Sequence, residues 1–217
     1  MRELIIPKVK DFNVTGDGKT DVWKKTEWQE LSRVGNGNSA YKTKAKALYS
    51  DTGIYILTDA EDKKLTTTDI PDQGNLFTED VIEFFIWPDE NIPIYLEYEI
   101  SPMNKDLVIL VPNVDGTFYG WSPWHYEDER QTIKNTSVYG GKKSSMAEVD
   151  GWMTEFYIPF TLLTPLKNST PKPGTTWRAN IYRIDYDESP CSQWAWDEKT
   201  NGNFHDYKNF GKFIFGD

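Results

Sequence analysis

DVIEFFIW at Asp80–Trp87, followed by IYLEYEIS at Ile94–Ser101 and LVILVP at Leu107–Pro112, is the stretch that decides the fold. Successive side chains of a strand point to opposite faces. In the first run Ile82, Phe84 and Ile86 therefore share one face, and Glu83 shares the other with Val81 and Phe85. In the second, Leu96, Tyr98 and Ile100 oppose Tyr95, Glu97 and Glu99. Each run offers one apolar face and one face that mixes aromatic rings with carboxylates, the pattern of antiparallel strands in a sandwich.

Working outward, similar β-branched and aromatic runs, closed by Gly, Pro, Asn or Asp, predict strands at Ala45–Ser50, Gly53–Asp59, Trp152–Ile158, Trp177–Asp185 and Gly211–Phe215. Asp51-Thr52-Gly53 reads as a tight hairpin turn. Only Asp21–Lys25 and Pro159–Leu163 invite helical turns. With no long amphipathic helix to cover a parallel sheet, the expected fold is all-β: a two-sheet antiparallel β-sandwich of jelly-roll or immunoglobulin-like type. The polar stretches Gly35–Ser39, Thr66–Asn75, Gly140–Asp150 and Lys167–Gly174 are short enough to be loops, so residues 1–217 read as one domain.

Of the 217 residues 15% are aromatic, ample for one core, and the formal charge is -10. That balance argues against nucleic acid, which is held by clustered Lys and Arg. Cys191 is the only cysteine, so no internal disulfide and no Cys-rich zinc site is available. The apolar patch Leu4–Ile6 is too short for a signal peptide or a membrane span. A soluble domain with no membrane partner is expected, periplasmic or extracellular if a signal was trimmed.

The mixed strand faces suit a sugar, whose C–H surface stacks on rings while its hydroxyls need donors and acceptors. Glu155 with Met153 and Tyr157, and Arg178 and Asn180 with Tyr182, extend the same pattern. Trp23, Trp28, Trp152 and Trp177 lie in or beside apolar runs and are expected in the core. Trp121 and Trp124 in GWSPWHY, and Trp194 and Trp196 in QWAW, lie among Pro, Ser and Asp and are candidate stacking platforms.

Gly16-Asp17-Gly18 with Asp21-Val22-Trp23, then ALYSDTGIYIL, EDVIEFFI, YLEYEISP, GWMTEFYIPF, WRANIYRIDYD and FGKFIF follow one another along nearly the whole chain. This ordered set resembles a family 9 carbohydrate-binding module. The resemblance implies a β-sandwich that binds sugar at or near chain ends without cutting it, and that usually accompanies glycoside hydrolases. It implies a sugar held between two rings: the first place falls to Phe77, where tryptophan is usual, with Glu83 as carboxylate. The second falls in the loop before the last strand, to Trp194 or Trp196, with Gln193 as amide. It further implies structural calcium, for which Asp59, Glu61 and Asp62, or Asp17 with Asp21, are the available sets, although neither has the spacing of a recognised calcium loop. No cofactor is otherwise required.

Two other function classes compete. Glu97 and Glu99 lie two apart on one strand, placing their carboxyls roughly 6–7 Å apart, near the lower limit for an inverting glycosidase. Such a pair is common on solvated strands, and no catalytic residue is assigned. Haem binding has His125, His205 and Met103 as ligands but no CxxCH attachment.

Overall fold

Every run of period two forms a strand, and most reach a residue or two further than the sequence pattern. The computed structural model describes residues 1–124, 127–200 and 202–217. Its strands in chain order begin with β1 (Glu3–Ile6), β2 (Gln29–Glu30), β3 (Ser32–Val34), β4 (Thr43–Tyr49), β5 (Gly53–Glu61), β6 (Val81–Trp87), β7 (Ile94–Ile100) and β8 (Asp106–Val114). They continue with β9 (Thr117–Phe118), β10 (Ser122–Pro123), β11 (Ile133–Tyr139), β12 (Gly151–Pro159), β13 (Thr176–Asp185), β14 (Ser192–Ala195) and β15 (Gly211–Phe215). Among the described residues helical structure is confined to short 3-10 turns such as Asp21–Lys25 and Phe160–Leu163. Among the described residues no helix is long and apolar enough to cross a membrane.

Two sheets face each other. The larger runs β1-β15-β13-β6-β7-β8-β10, with β14 and β3 branching from β13 and β9 pairing with β8; the smaller runs β11-β12-β5-β4-β2. The pairings are antiparallel except that β1 lies parallel to β15 at an edge. Between the sheets sits the main core: Ile82, Phe84 and Ile86 from β6, and Leu96, Tyr98 and Ile100 from β7, meet Ile54 and Ile56 from β5 and Trp152, Phe156 and Ile158 from β12. This is the face that the alternation assigns to burial.

The opposite faces are not left to solvent. Loops cover the outer face of the larger sheet and bury Val81, Phe85, Tyr95 and Tyr182 against Leu76, Phe204, Tyr207 and Phe210. The N-terminal segment covers the outer face of the smaller sheet, packing Val9 and Trp23 on Tyr55 and Leu57. Glu155 anchors it: the buried carboxylate accepts hydrogen bonds from the Thr15 and Gly16 amides at 3.0 and 2.8 Å and from Trp23 Nε1 at 3.0 Å. Gly16 is required there, because at φ +84° a Cβ would sit 2.8 Å from the Asn135 carbonyl carbon.

The same coverage decides the fate of two candidate site residues. Arg178 donates from Nε to the Phe210 carbonyl at 2.9 Å and from a terminal nitrogen to that of Lys208 at 2.6 Å. Asn180 is fully buried, donating to the Asp197 carbonyl at 3.0 Å and accepting from the Asp197 amide at 2.8 Å. Both lie on the predicted face, but they tie down loops and turn no free polar group towards a ligand.

Candidate functional site

Where the loops over the larger sheet part, a cleft of about 390 Å³ opens above β6, β7 and β8. Phe77, Glu83, Gln193 and Trp121, four of the residues singled out from sequence, line it together. Phe77 stands on the short turn Leu76–Thr78 that leads into β6, and its carbonyl accepts from Tyr186 Oη at 2.6 Å. Trp121 and Phe118, on the strand-and-turn excursion after β8, are 38% and 44% exposed and bring uncovered ring surface to the rim. Gln193 on β14 reaches the cleft past Gly35, where a Cβ would lie 2.5 Å from Gln193 Oε1. Among the described residues, its side-chain amide has no hydrogen-bond partner.

Three residues that sequence reading did not assign to a sugar complete the walls. His205, considered above only as a haem ligand, tilts against Phe118 with ring centres 4.4 Å apart, and its Nδ1 lies 2.6 Å from Tyr95 Oη. Its backbone carbonyl accepts from the Asn113 amide at 2.7 Å, so the loop is fixed from both ends. Burial lowers the His205 pKa to about 4, and the ring is neutral at physiological pH. Phe204 stacks on Tyr182 at 4.0 Å. Glu97, considered above only as half of a catalytic pair, lines the floor beside Glu83.

The floor is electrostatically unusual. Glu83 pairs across the strands with Glu99, and Glu97 pairs with Phe85, so all three carboxylates stand on one face of adjacent strands. All are buried, and one oxygen of each lies within 4.8 Å of the others. Burial, reinforced by the neighbouring carboxylates, pushes Glu83 and Glu97 well above the usual range, and burial raises Glu99 to about 7. Burial thus favours the protonated form of Glu83 and Glu97, and a protonated carboxyl donates from its O–H and accepts at its other oxygen.

The remaining candidates lie elsewhere. Trp194 and Trp196 were expected to stand in a loop; the structure places them in and just after β14 with 2% and 0% exposure, and neither has a face to offer. Trp194 donates to the Tyr41 carbonyl at 3.1 Å and lies under the Arg183 guanidinium, 4.8 Å away. Trp196 packs edge-on against Phe213 in the main core. Their burial comes from strand pairing on both sides of β14, which a local window of sequence does not show. Trp124 is outside the cleft, donating to the Leu162 carbonyl at 2.7 Å under the Arg130 guanidinium. Trp23, Trp152 and Trp177 are buried as expected, whereas Trp28 is half-buried with Lys44 and Lys46 over its ring.

The proposed calcium ligands do not fit one ion. Asp59 faces outward to Lys44 at 3.1 Å and Tyr139 Oη at 3.0 Å, and Glu61 accepts from the Lys42 amide at 3.0 Å. Asp62 turns inward, to Trp152 Nε1 at 3.0 Å and Arg183 at 3.3 Å. Asp17 and Asp21 are separately paired with Lys19 and Lys24. A larger groove, about 500 Å³, runs past Tyr41, Lys44, Asp59 and Glu61, but these same pairings already engage Asp59 and Glu61. The haem ligands are likewise not assembled: Met103 is in the turn at the far end of the β7–β8 hairpin from Tyr95, which holds His205, and His125 lies outside the described residues.

Comparison with known proteins bears on the fold and the family. Solved structures with the same fold include one from Bacteroides uniformis ATCC 8492, with TM-score 0.78, 15% identity and 99% of each chain covered. A family 9 carbohydrate-binding module from Caldicellulosiruptor kristjanssonii, in complex with cellotriose, has TM-score 0.68 and 17% identity over 99% of this chain and 94% of that one. The glucose complex of a family 9 module from the same organism has TM-score 0.68 and 18% identity over 100% and 97%. Among curated proteins, endo-1,4-beta-xylanase A of Thermoanaerobacterium saccharolyticum is 21% identical over 91% of this chain and 15% of its own length. Exoglucanase XynX of Acetivibrio thermocellus is 22% identical over 91% and 16%. The chain thus spans about a sixth of these relatives. Residues 15–216 match the family described as carbohydrate family 9 binding domain-like, and the chain belongs to that family.

Proposed function

We propose that the domain binds carbohydrate in the cleft of Phe77, Glu83, Trp121 and His205, and that it does not cut what it binds. One observation carries this reading: open aromatic faces and buried, partly protonated carboxyls meet in a single cleft, supplying stacking surface and both hydrogen-bond roles. Solved family modules with glucose and cellotriose support a glucose-type ligand. A stretch similar to this chain forms a small part of a xylanase and an exoglucanase, which supports a role beside glycoside hydrolases in polysaccharide breakdown.

The same floor supports binding without cleavage. A glycosidase needs one carboxyl held protonated and a second that stays ionised. Here both carboxyls that line the cleft, Glu83 and Glu97, are pushed upward, while Glu99 is sealed beneath them.

Calorimetric titration with glucose and cellotriose is expected to give saturable binding. Trp121→Ala and Phe77→Ala should each weaken it by about 1–3 kcal/mol, the scale for truncating an interface aromatic. Trp121→Ala should melt as the wild type does, because the ring is at the rim. No reducing sugar should be released from cellotriose. Absence of saturable binding across neutral oligosaccharides would remove the reading, and hydrolysis lost in Glu97→Gln would replace it with catalysis.

A further inference from the structure

Behind the wall of the cleft, the Tyr95 hydroxyl has one place to send its proton. Tyr95 stands on β7 with 0% exposure, and burial pushes its pKa well up, so the oxygen keeps its hydrogen. Among the described residues the one acceptor within its reach is His205 Nδ1, at 2.6 Å. Two other acceptors close by are not used: Asn113 Oδ1 and Glu97 Oε2 are both buried without a hydrogen-bond partner. Asn113 is turned the other way, its side-chain nitrogen donating to the His205 carbonyl at 2.7 Å. Glu97 Oε2 is 4.0 Å from Nδ1, beyond hydrogen-bond distance. If Nδ1 carried the ring proton, the Tyr95 O–H would be buried with no acceptor, which is the costly arrangement.

The other ring nitrogen is left on the open side. The His205 side chain is 33% exposed and lines the cleft, and Nε2 has no hydrogen-bond partner among the described residues. Phe118 at 4.4 Å and Phe85 at 5.7 Å hold the plane of the ring. In a neutral imidazole one nitrogen donates and the other accepts, and the bond made by one sets the role of the other. We propose that Tyr95 is a positioning residue for the sugar site: its buried O–H fixes His205 with the ring proton on Nε2, and the ring meets the sugar as a hydrogen-bond donor. This rests on the carbohydrate reading of the cleft. A donor fixed in the wall selects a ligand group with a free lone pair, such as a hydroxyl or ring oxygen of a neutral sugar. An ammonium group, which only donates, has no partner at this nitrogen.

The test reads the ring nitrogens of the isotope-labelled full chain in multiple-bond proton–nitrogen NMR spectra at neutral pH, with no sugar present. His205 is expected to show a protonated Nε2 and an unprotonated Nδ1. Tyr95→Phe, which removes only the hydroxyl, should move both nitrogens towards the average of the two tautomers. In calorimetric titration with cellotriose, His205→Ala should bind about 3–10-fold more weakly than the wild type, the scale of one lost hydrogen bond. A proton on Nδ1 of the wild type would overturn the proposal. So would ring signals in Tyr95→Phe that match the wild type, or undiminished cellotriose binding in His205→Ala. If Tyr95→Phe loses the circular dichroism of the wild type, the wild-type ring spectrum carries the test. A proton on Nδ1 leaves the carbohydrate reading standing. A wild type that binds no cellotriose would remove donation to sugar along with that reading, while the ring spectrum still decides what Tyr95 fixes.

Discussion

Trp196→Ala is expected to melt early while the folded protein still binds sugar. The ring is 0% exposed and sits in the main core, edge-on to Phe213 at 5.2 Å and beneath the Arg2 guanidinium at 5.3 Å. It packs against backbone as well: a Cβ on Gly211 would come within 2.3 Å of it. Truncating a buried tryptophan to alanine removes its transfer energy and leaves a cavity, about 3–5 kcal/mol together. For a chain of this size each kcal/mol lowers the melting temperature by ~2–4 °C. Thermal melting monitored by circular dichroism reads the effect, and sugar titration well below the transition should match the wild type. A variant that melts normally and loses sugar binding would put Trp196 back in the site.

The second large effect concerns Arg183. Its guanidinium is fully buried, 2.6 Å from Asp185 and 3.3 Å from Asp62, and it donates to Thr43 Oγ1 at 3.0 Å and to the Glu61 carbonyl at 2.6 Å. It also lies 4.8 Å from the Trp194 ring and 5.6 Å from that of Tyr41. Arg183→Met keeps much of the volume but leaves Asp62, Asp80 and Asp185 without a counter-charge. Removing one partner of such a buried group costs about 3–5 kcal/mol.

The loss should depend on pH with a definite sign. Burial raises Asp62 to about 7 and Asp80 to about 9, with the neighbouring carboxylates adding to the rise and Arg183 opposing it. An acid whose folded pKa exceeds its unfolded one holds a proton longer in the folded state. Its contribution is most favourable below the ordinary carboxylate range, and it is lost as pH rises through about 7 for Asp62 and about 9 for Asp80. Without Arg183 these values move higher still, so the variant's deficit in melting temperature should be larger at about pH 8 than at about pH 5. A deficit that grows in acid, or a variant as stable as the wild type at the higher pH, would contradict this account of the cluster.

How far the fold was legible depended on whether a strand has two different faces. β6, β7, β8, β12 and β13 carry period-two patterns and were read with nearly correct limits. β11 was missed because Ile133–Tyr139 is a mostly polar edge strand with little buried surface. β14 was missed because its four residues carry no pattern of their own, and that omission moved Trp194 and Trp196 from core to loop. In the site, Glu83 followed from alternation, Phe77 from the family pattern, and Trp121 from an aromatic standing among turn residues. His205 and Phe118 carry no such mark; His205 comes to the cleft on a loop held by Tyr95 and Asn113 far away in the chain, and Phe118 through the pairing of β9 with β8. Arg178 and Asn180 stood on the right face, yet loop carbonyls claim them, and those contacts are equally distant in sequence.

The central claim is that sugar sits over Phe77, Glu83 and Trp121, and the most direct test follows the indole N–H and histidine ring signals in NMR spectra during a cellotriose titration. The account predicts that Trp121 and His205 shift and saturate together, while the buried indoles of Trp23, Trp152, Trp194 and Trp196 stay in place. Shifts centred instead on Trp28 and the groove past Tyr41 and Lys44, or no shift at all at high sugar concentration, would contradict it.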